Sequence, residues 1–211
     1  MMMKIEFQYH LIYYLNKMNF NYPIVLKDVF SSQKFFQLRD EFKYGKWQLN
    51  NYSDPKHDEK SEERVFWTMG NIWENIKIYE CASILKLKIQ KYLQQDLIFI
   101  RAHSNGSTFG QSSRFHIDYE SDDIWTFILF TEENWNTQWG GEFVVYNPIE
   151  EEYNYTSYIP NSGALIPSNW QHYAMSPNER TDKLRTTIAF SYCSTESFDR
   201  LKNLKSVKRF L

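Results

Sequence analysis

His116 and Asp118 stand two residues apart in "RFHIDYESDDIWTFILF", Arg114 to Phe130, just ahead of an apolar run that reads as buried strand. In an extended chain residues i and i+2 project from the same face. An imidazole and a carboxylate therefore point the same way at the edge of a core, where an unpaired charge is expensive. The spacing alone is a weak signal: His57 and Glu59 in "KHDEK" share it, but in a charge run with no strand to fix them, which reads as solvated loop. A third donor, His172 in "NWQHYAM", lies in another strand-like run. Two imidazoles and one carboxylate on one side of a metal leave the opposite positions open, which suits non-haem Fe(II); zinc would accept the same ligands. With only two of the three donors, a buried His–Asp ion pair would be the better reading.

Arg185 in "LRTTIAFSYC" decides between these readings. Alternation puts Arg185, Thr187, Ala189 and Ser191 on one face of that strand and Leu184, Thr186, Ile188 and Phe190 on the other. A guanidinium projecting from a core strand among small polar residues needs an anion, and its planar fork matches a carboxylate. Metal triad and buried Arg together point to an anionic co-substrate held by the metal at one end and by Arg185 at the other.

Short strands must position these residues. From Leu97 onward "LIFIRAH", "RFHIDYE", "IWTFILFT", "EFVVYN", "NYTSYIP", "GALIP", "WQHYAM" and "LRTTIAFSYC" are β-branched and aromatic runs divided by Asn, Gly, Ser, Pro and acidic turns. Such a series without intervening helices predicts a mainly β jelly-roll rather than a βαβ sheet. The first half predicts flanking helices around short strands. "SSQKFFQLRDEF" opens on hydroxyl caps, with Phe35, Phe36, Leu38 and Phe42 at helical spacing, and Asn71 to Gln95 reads as one bent helix or two. "NNYSDPKHDEKSEER" between them reads as exposed loop. The chain is expected to be a single domain over 1–211, with a flank over 1–96, a jelly-roll catalytic core over 97–195 and a tail over 196–211. "HSNGSTFGQSSR" is a candidate lid, and in "TEENWNTQWGGE" Trp135 and Trp139 read as cover for the jelly-roll edge or as an apolar wall for a peptide or ring substrate, with Gly140 and Gly141 making a tight turn. Asp122 and Asp123 read as turn residues.

The ordered set of His116-x-Asp118, "WGGEFVVY", the Pro-x-x-Gly turn of "YIPNSGALIPSNWQHYAM" leading to His172, and Arg185-x-Thr187 resembles the Fe(II)/2-oxoglutarate-dependent dioxygenases, in particular their prolyl 4-hydroxylase-like branch. The resemblance runs from Phe99 to Cys193 and implies a double-stranded β-helix with Fe(II) held by His116, Asp118 and His172. It implies further that 2-oxoglutarate chelates the iron through its 1-carboxylate and keto oxygen, that Arg185 pairs with the far carboxylate and that Thr187 adds a hydroxyl hydrogen bond. The implied reaction consumes O2, releases succinate and CO2, and hydroxylates an aliphatic C–H, with a prolyl residue of a peptide or protein as the best guess and ascorbate as candidate reductant. Many members carry a Tyr against 2-oxoglutarate on the strand before His-x-Asp. Here "FIRAHSNG" offers His103 or Arg101 instead, and His103 either makes that contact or is a hydrogen-bonded wall residue.

The rest of the chain bounds the alternatives. A net charge of −2 gives no electrostatic reason to bind nucleic acid or anionic membrane. The basic tail "RLKNLKSVKRFL" reads as a solvated last helix. Cys81 and Cys193 sit in apolar contexts as two buried thiols, and the N-terminus sustains no signal-peptide or spanning run, so a cytoplasmic protein is expected. A free amino acid, another small molecule or an alkylated nucleobase stays open as substrate, the last disfavoured by the charge balance and the absence of a basic, aromatic-interleaved groove. Two further classes compete, a non-catalytic jelly-roll binding module and a cupin-like zinc enzyme without 2-oxoglutarate. No oligomeric state is legible.

Overall fold

In β10, Arg185–Ser194, every residue is buried, as is every residue of β5, Ile124–Phe130. Strands buried on both faces belong in the middle of a sheet covered on both sides. They occupy that place in the computed structural model, which describes residues 23–51, 66–69, 72 and 75–201, with side chains left out at 50–51 and 199–201. The expectations for the N-terminal segment, for His57 and Glu59, and for the basic tail fall outside the described residues.

The strands in chain order are β1 (Ile24–Leu26), β2 (Trp47–Asn51), β3 (Phe66–Met69), β4 (Leu97–Ser107), β5, β6 (Phe143–Asn147), β7 (Glu152–Thr156), β8 (Gly163–Pro167), β9 (His172–Ala174) and β10. They form a seven-stranded sheet ordered β1-β8-β5-β10-β4-β3-β2 and a three-stranded sheet ordered β7-β6-β9, with antiparallel pairings throughout. This is the expected jelly-roll, mainly β with flanking helices.

Among the described residues it is accompanied by the α-helices α1 (Ser32–Lys43), α2 (Ile76–Leu93) and α3 (Thr195–Leu201). Ser31 caps α1 by accepting from the Lys34 amide, and Asn75 caps α2 by accepting from the Lys77 amide. Helix α1 buries Phe35, Leu38 and Phe42, while Phe36 stays exposed. Helix α2 buries Ile78, Cys81, Ala82, Leu85 and Ile89, a stripe at helical spacing. That stripe meets the outer face of β10, where Tyr192 Oη donates to the Ala82 carbonyl at 2.8 Å. Each large side chain so buried stabilises the contact by about 1.5–3 kcal/mol.

Two expectations need correction. "RFHIDYE" is not a strand: only His116 makes a bridge, to His172, because its neighbours pair with turns and loops instead. Strand β4 runs on to Ser107, hydrogen-bonded along β10 to Arg185, so the candidate lid "HSNGSTFGQSSR" begins as sheet. The Pro-x-x-Gly turn forms as expected at Pro160 and Asn161, with Asn161 left-handed at φ 58°, and Gly163 opens the expected strand, where a Cβ would lie 2.2 Å from the Ile128 carbonyl oxygen. No helix among the described residues is long and apolar enough to cross a membrane.

Candidate metal and co-substrate site

His116 and His172 exchange both backbone hydrogen bonds, at 3.1 and 3.0 Å, as a directly opposed antiparallel pair. Their side chains therefore leave the backbone on the same side, with ring centroids 4.5 Å apart. The Asp118 amide donates to the Ser168 carbonyl at 2.9 Å, and its carboxylate accepts from Thr126 Oγ1 at 2.7 Å. So placed, His116, Asp118 and His172 bring one ligand atom each to within 4.8 Å of the others, the expected trio in space.

The protonation pattern suits a metal. His116 Nδ1 lies 2.8 Å from the Arg114 carbonyl and His172 Nδ1 2.9 Å from the Trp170 carbonyl. A carbonyl only accepts, so each Nδ1 carries a proton, which leaves Nε2 as the ring atom able to bind a metal. Burial lowers the His172 pKa to about 4, leaving the ring neutral near pH 7. Burial pushes Asp118 up, but the surrounding imidazoles and Arg101 outweigh it and hold the carboxylate below its ordinary value. His172 Nε2 and Asp118 Oδ2 are 3.8 Å apart, too far for a hydrogen bond. A neutral ring at that distance is not an ion pair; two lone pairs and a carboxylate around one point fit Fe(II) or zinc.

The pairing of β10 with β4 and β5 collects the remaining candidates on one face. Arg185 stands opposite Ser107, Thr187 opposite Asn105, Ala189 opposite His103 and Ser191 opposite Arg101; across the other edge Thr187 meets Phe130 and Ser191 meets Thr126. Directly opposed residues share a face, so Arg185, Thr187 and His103 line the same side as Thr126, the residue that holds Asp118. Thr187 Oγ1 donates to the Asn105 carbonyl at a long 3.5 Å. His103 Nδ1 is shielded from solvent with no hydrogen-bond partner, and burial, with help from Arg101, drops its pKa to about 3.

Arg185 is 2% exposed. Its Nε donates to the Gly141 carbonyl at 2.6 Å, whereas Nη2 is buried with no hydrogen-bond partner among the described residues. Among the described residues no carboxylate forms an ion pair with it. Burial lowers its pKa only to about 10, so the guanidinium stays charged at neutral pH. A buried cation with an N–H to spare fits the far carboxylate of 2-oxoglutarate, approached end-on because Nε is already engaged.

Several contributors carried no sequence signal. Thr126 and Ser168, whose hydroxyls are 2.9 Å apart, are ordinary strand and turn residues until the fold puts them beside Asp118. Tyr158 packs its ring 5.1 Å from the Arg185 guanidinium. Trp135 is buried against Tyr158, its Nε1 donating to the Gly140 carbonyl at 3.0 Å, and Trp139 meets it edge-on with ring centroids 5.5 Å apart. Gly140 and Gly141, at φ 74° and 81°, make the tight turn; a Cβ on Gly141 would press on Arg185 at 2.9 Å. A cavity of about 340 Å³ lined by Arg39, Trp47, Glu132, Lys183 and Thr186 includes no member of the trio and not Arg185.

No family model and no curated protein sequence matches the chain. Solved structures do. A prolyl hydroxylase from Trichoplax adhaerens, in complex with a hypoxia inducible factor oxygen degradation domain peptide fragment, superposes with a TM-score of 0.64 at 16% identity, covering 92% of this chain and 96% of that one. An oxidoreductase of the 2OG-Fe(II) oxygenase family from Burkholderia pseudomallei gives 0.63 at 12% identity, covering 81% and 84%. HygX from Streptomyces hygroscopicus, with nickel, 2-oxoglutarate and hygromycin B bound, gives 0.60 at 11% identity, covering 81% and 82%. The chain thus has the fold of the 2-oxoglutarate/Fe(II)-dependent oxygenases, prolyl hydroxylases among them, with a His-Asp-His cluster that fits that superfamily.

Proposed function

We propose that the protein is an Fe(II)- and 2-oxoglutarate-dependent dioxygenase that hydroxylates an aliphatic C–H, with a prolyl residue of a peptide or protein as the first substrate class to test. The observation that carries this is Arg185: a charged, buried guanidinium with no carboxylate partner among the described residues, on the same face as the residues that surround the His116, Asp118 and His172 cluster. His116, Asp118 and His172 would hold the metal; Arg185 and Thr187 would hold the far carboxylate of 2-oxoglutarate, and His103 would wall the co-substrate between them. Iron and 2-oxoglutarate, with O2, would supply the oxidising power, ending in succinate and CO2. The chain's own work is to turn both Nε2 atoms toward the metal, to hold Asp118 ionised, to fix the dicarboxylate by its far end and to exclude water.

A zinc enzyme without 2-oxoglutarate, or a binding module, would leave Arg185 with no assigned anion. A small-molecule substrate is the second reading within the enzyme class, because HygX, of like fold, holds hygromycin B where the Trichoplax enzyme holds a peptide. Anaerobic titration with Fe(II) and 2-oxoglutarate tests the assignment. The wild type should develop the visible metal-to-ligand charge-transfer band, and His172→Ala should lose it. Arg185→Ala should retain metal but weaken 2-oxoglutarate on the order of 10²-fold, as when one partner of a buried charge pair is removed. Tight metal binding without a band would sink the proposal.

A further inference from the structure

Arg185 has a second set of neighbours that the proposed chemistry does not require. Tyr158 lies in the segment between β7 and β8, 1% exposed. Its hydroxyl accepts from the Thr131 amide at 3.0 Å and from the Glu132 amide at 2.8 Å, and donates to the Thr186 carbonyl at 2.5 Å. One oxygen thus ties the end of β5 to the start of β10. Burial pushes this phenol up to about 12, so it remains a neutral donor at any working pH.

The ring held by that oxygen packs 5.1 Å from the Arg185 guanidinium, with Phe130 at 5.9 Å from the same carbon. Phe130 and Trp135 each stack on Tyr158 with centroids 4.7 Å away. From another side the Gly141 carbonyl takes the Nε proton, and the Gly141 Cα leaves no room for a side chain against Cδ and Nε. A guanidinium contacted by aromatic faces and pinned through Nε has few ways to turn, and aromatic faces attract a cation without consuming its N–H groups. An acidic partner would have neutralised the charge; this cradle keeps it.

We propose that Tyr158 is a positioning residue for Arg185, fixing the guanidinium before any ligand arrives and so setting the length of dicarboxylate that the site accepts. The inference rests on reading Arg185 as the anchor of the far carboxylate. A rigid anchor at a set distance from the metal suits one chain length, whereas a loose one would follow a longer acid.

Binding of 2-oxoglutarate and of its one-carbon-longer homologue 2-oxoadipate, measured on the anaerobic Mn(II)-loaded protein, tests this with Tyr158→Phe. That variant keeps the ring and loses the oxygen. Wild type should prefer 2-oxoglutarate; in the variant its Kd should rise about tenfold, the preference should shrink, and Mn(II) affinity without co-substrate should not change. A variant with lowered Tm but an unchanged preference would make Tyr158 merely structural and overturn the inference. A wild type that binds neither acid would overturn the reading of Arg185 and this inference with it. If Tyr158→Phe does not fold, the wild type decides: the Arg185 Nε–H NMR signal, assigned by its loss in Arg185→Lys, should show a guanidinium with arrested rotation in the ligand-free protein, and free rotation would overturn the proposal.

Discussion

Each imidazole of the cluster gives its Nδ1 proton to a carbonyl two residues before it, Arg114 for His116 and Trp170 for His172. The ligand tautomer is thus set by the local chain bend. Asp118 has no such local partner and depends on Thr126, a residue of β5, to orient its Oδ2. Groups behind metal ligands commonly matter about 10- to 100-fold for metal affinity. Thr126→Val, close to isosteric, should weaken Fe(II) or Mn(II) binding within that range, read by calorimetry, and leave the Ser168 hydroxyl without its partner. An unchanged metal Kd would mean that Asp118 is oriented by its backbone alone.

At the scale of elements, β4 shows how a strand can serve two masters. Simple alternation would put Phe99, Arg101 and His103 on one face. A bulge shifts the register between Ser191, opposite Arg101, and Tyr192, opposite Phe99. Phe99 then packs outward on Tyr79, Phe190 and Tyr192, while Arg101 and His103 turn inward. Strand β8 depends on close approach instead. A Cβ on Gly163 would meet the Ile128 oxygen at 2.2 Å and the Phe127 ring at 2.7 Å. Gly163→Ala should destabilise by about 1–3 kcal/mol or more, as overpacking does, measured by urea unfolding. A neutral substitution there would show that β5 and β8 are not in this register.

For the whole molecule, the buried imidazoles tie stability to pH. Burial depresses His172 to about 4 and His103 to about 3, against an ordinary value of 6.5. Between those limits the unfolded chain binds protons that the folded chain refuses, so stability rises with pH. It is present in full above about pH 6.5 and is lost as pH falls toward 4, by up to about 1.4 kcal/mol per pH unit for each group. Thermal unfolding of the metal-free protein between pH 7.5 and 4.5 should follow this slope, and His103→Asn, with no titrating ring, should flatten it. A Tm indifferent to pH in that window would place both rings in contact with solvent.

The sequence by itself determined what depends on short-range spacing. Apart from "RFHIDYE", the short runs after Leu97 specified strands, the Ser31 and Asn75 caps with their apolar stripes specified α1 and α2, and residue types named His116, Asp118, His172 and Arg185 as a chemical set. Alternation along "LRTTIAFSYC" sufficed to put Arg185 and Thr187 on one face, because β10 is regular there. Only the tertiary structure decided what lies across strands. That Thr126 steadies Asp118, that Tyr158 and Phe130 cradle Arg185, and that Gly163 yields room to Ile128 follow from contacts between residues far apart in the chain. Local pattern carries no record of such contacts, since Thr, Tyr and Gly at those positions are each ordinary in a strand or loop. Their roles come from register, which is settled when the whole apolar face is buried at once.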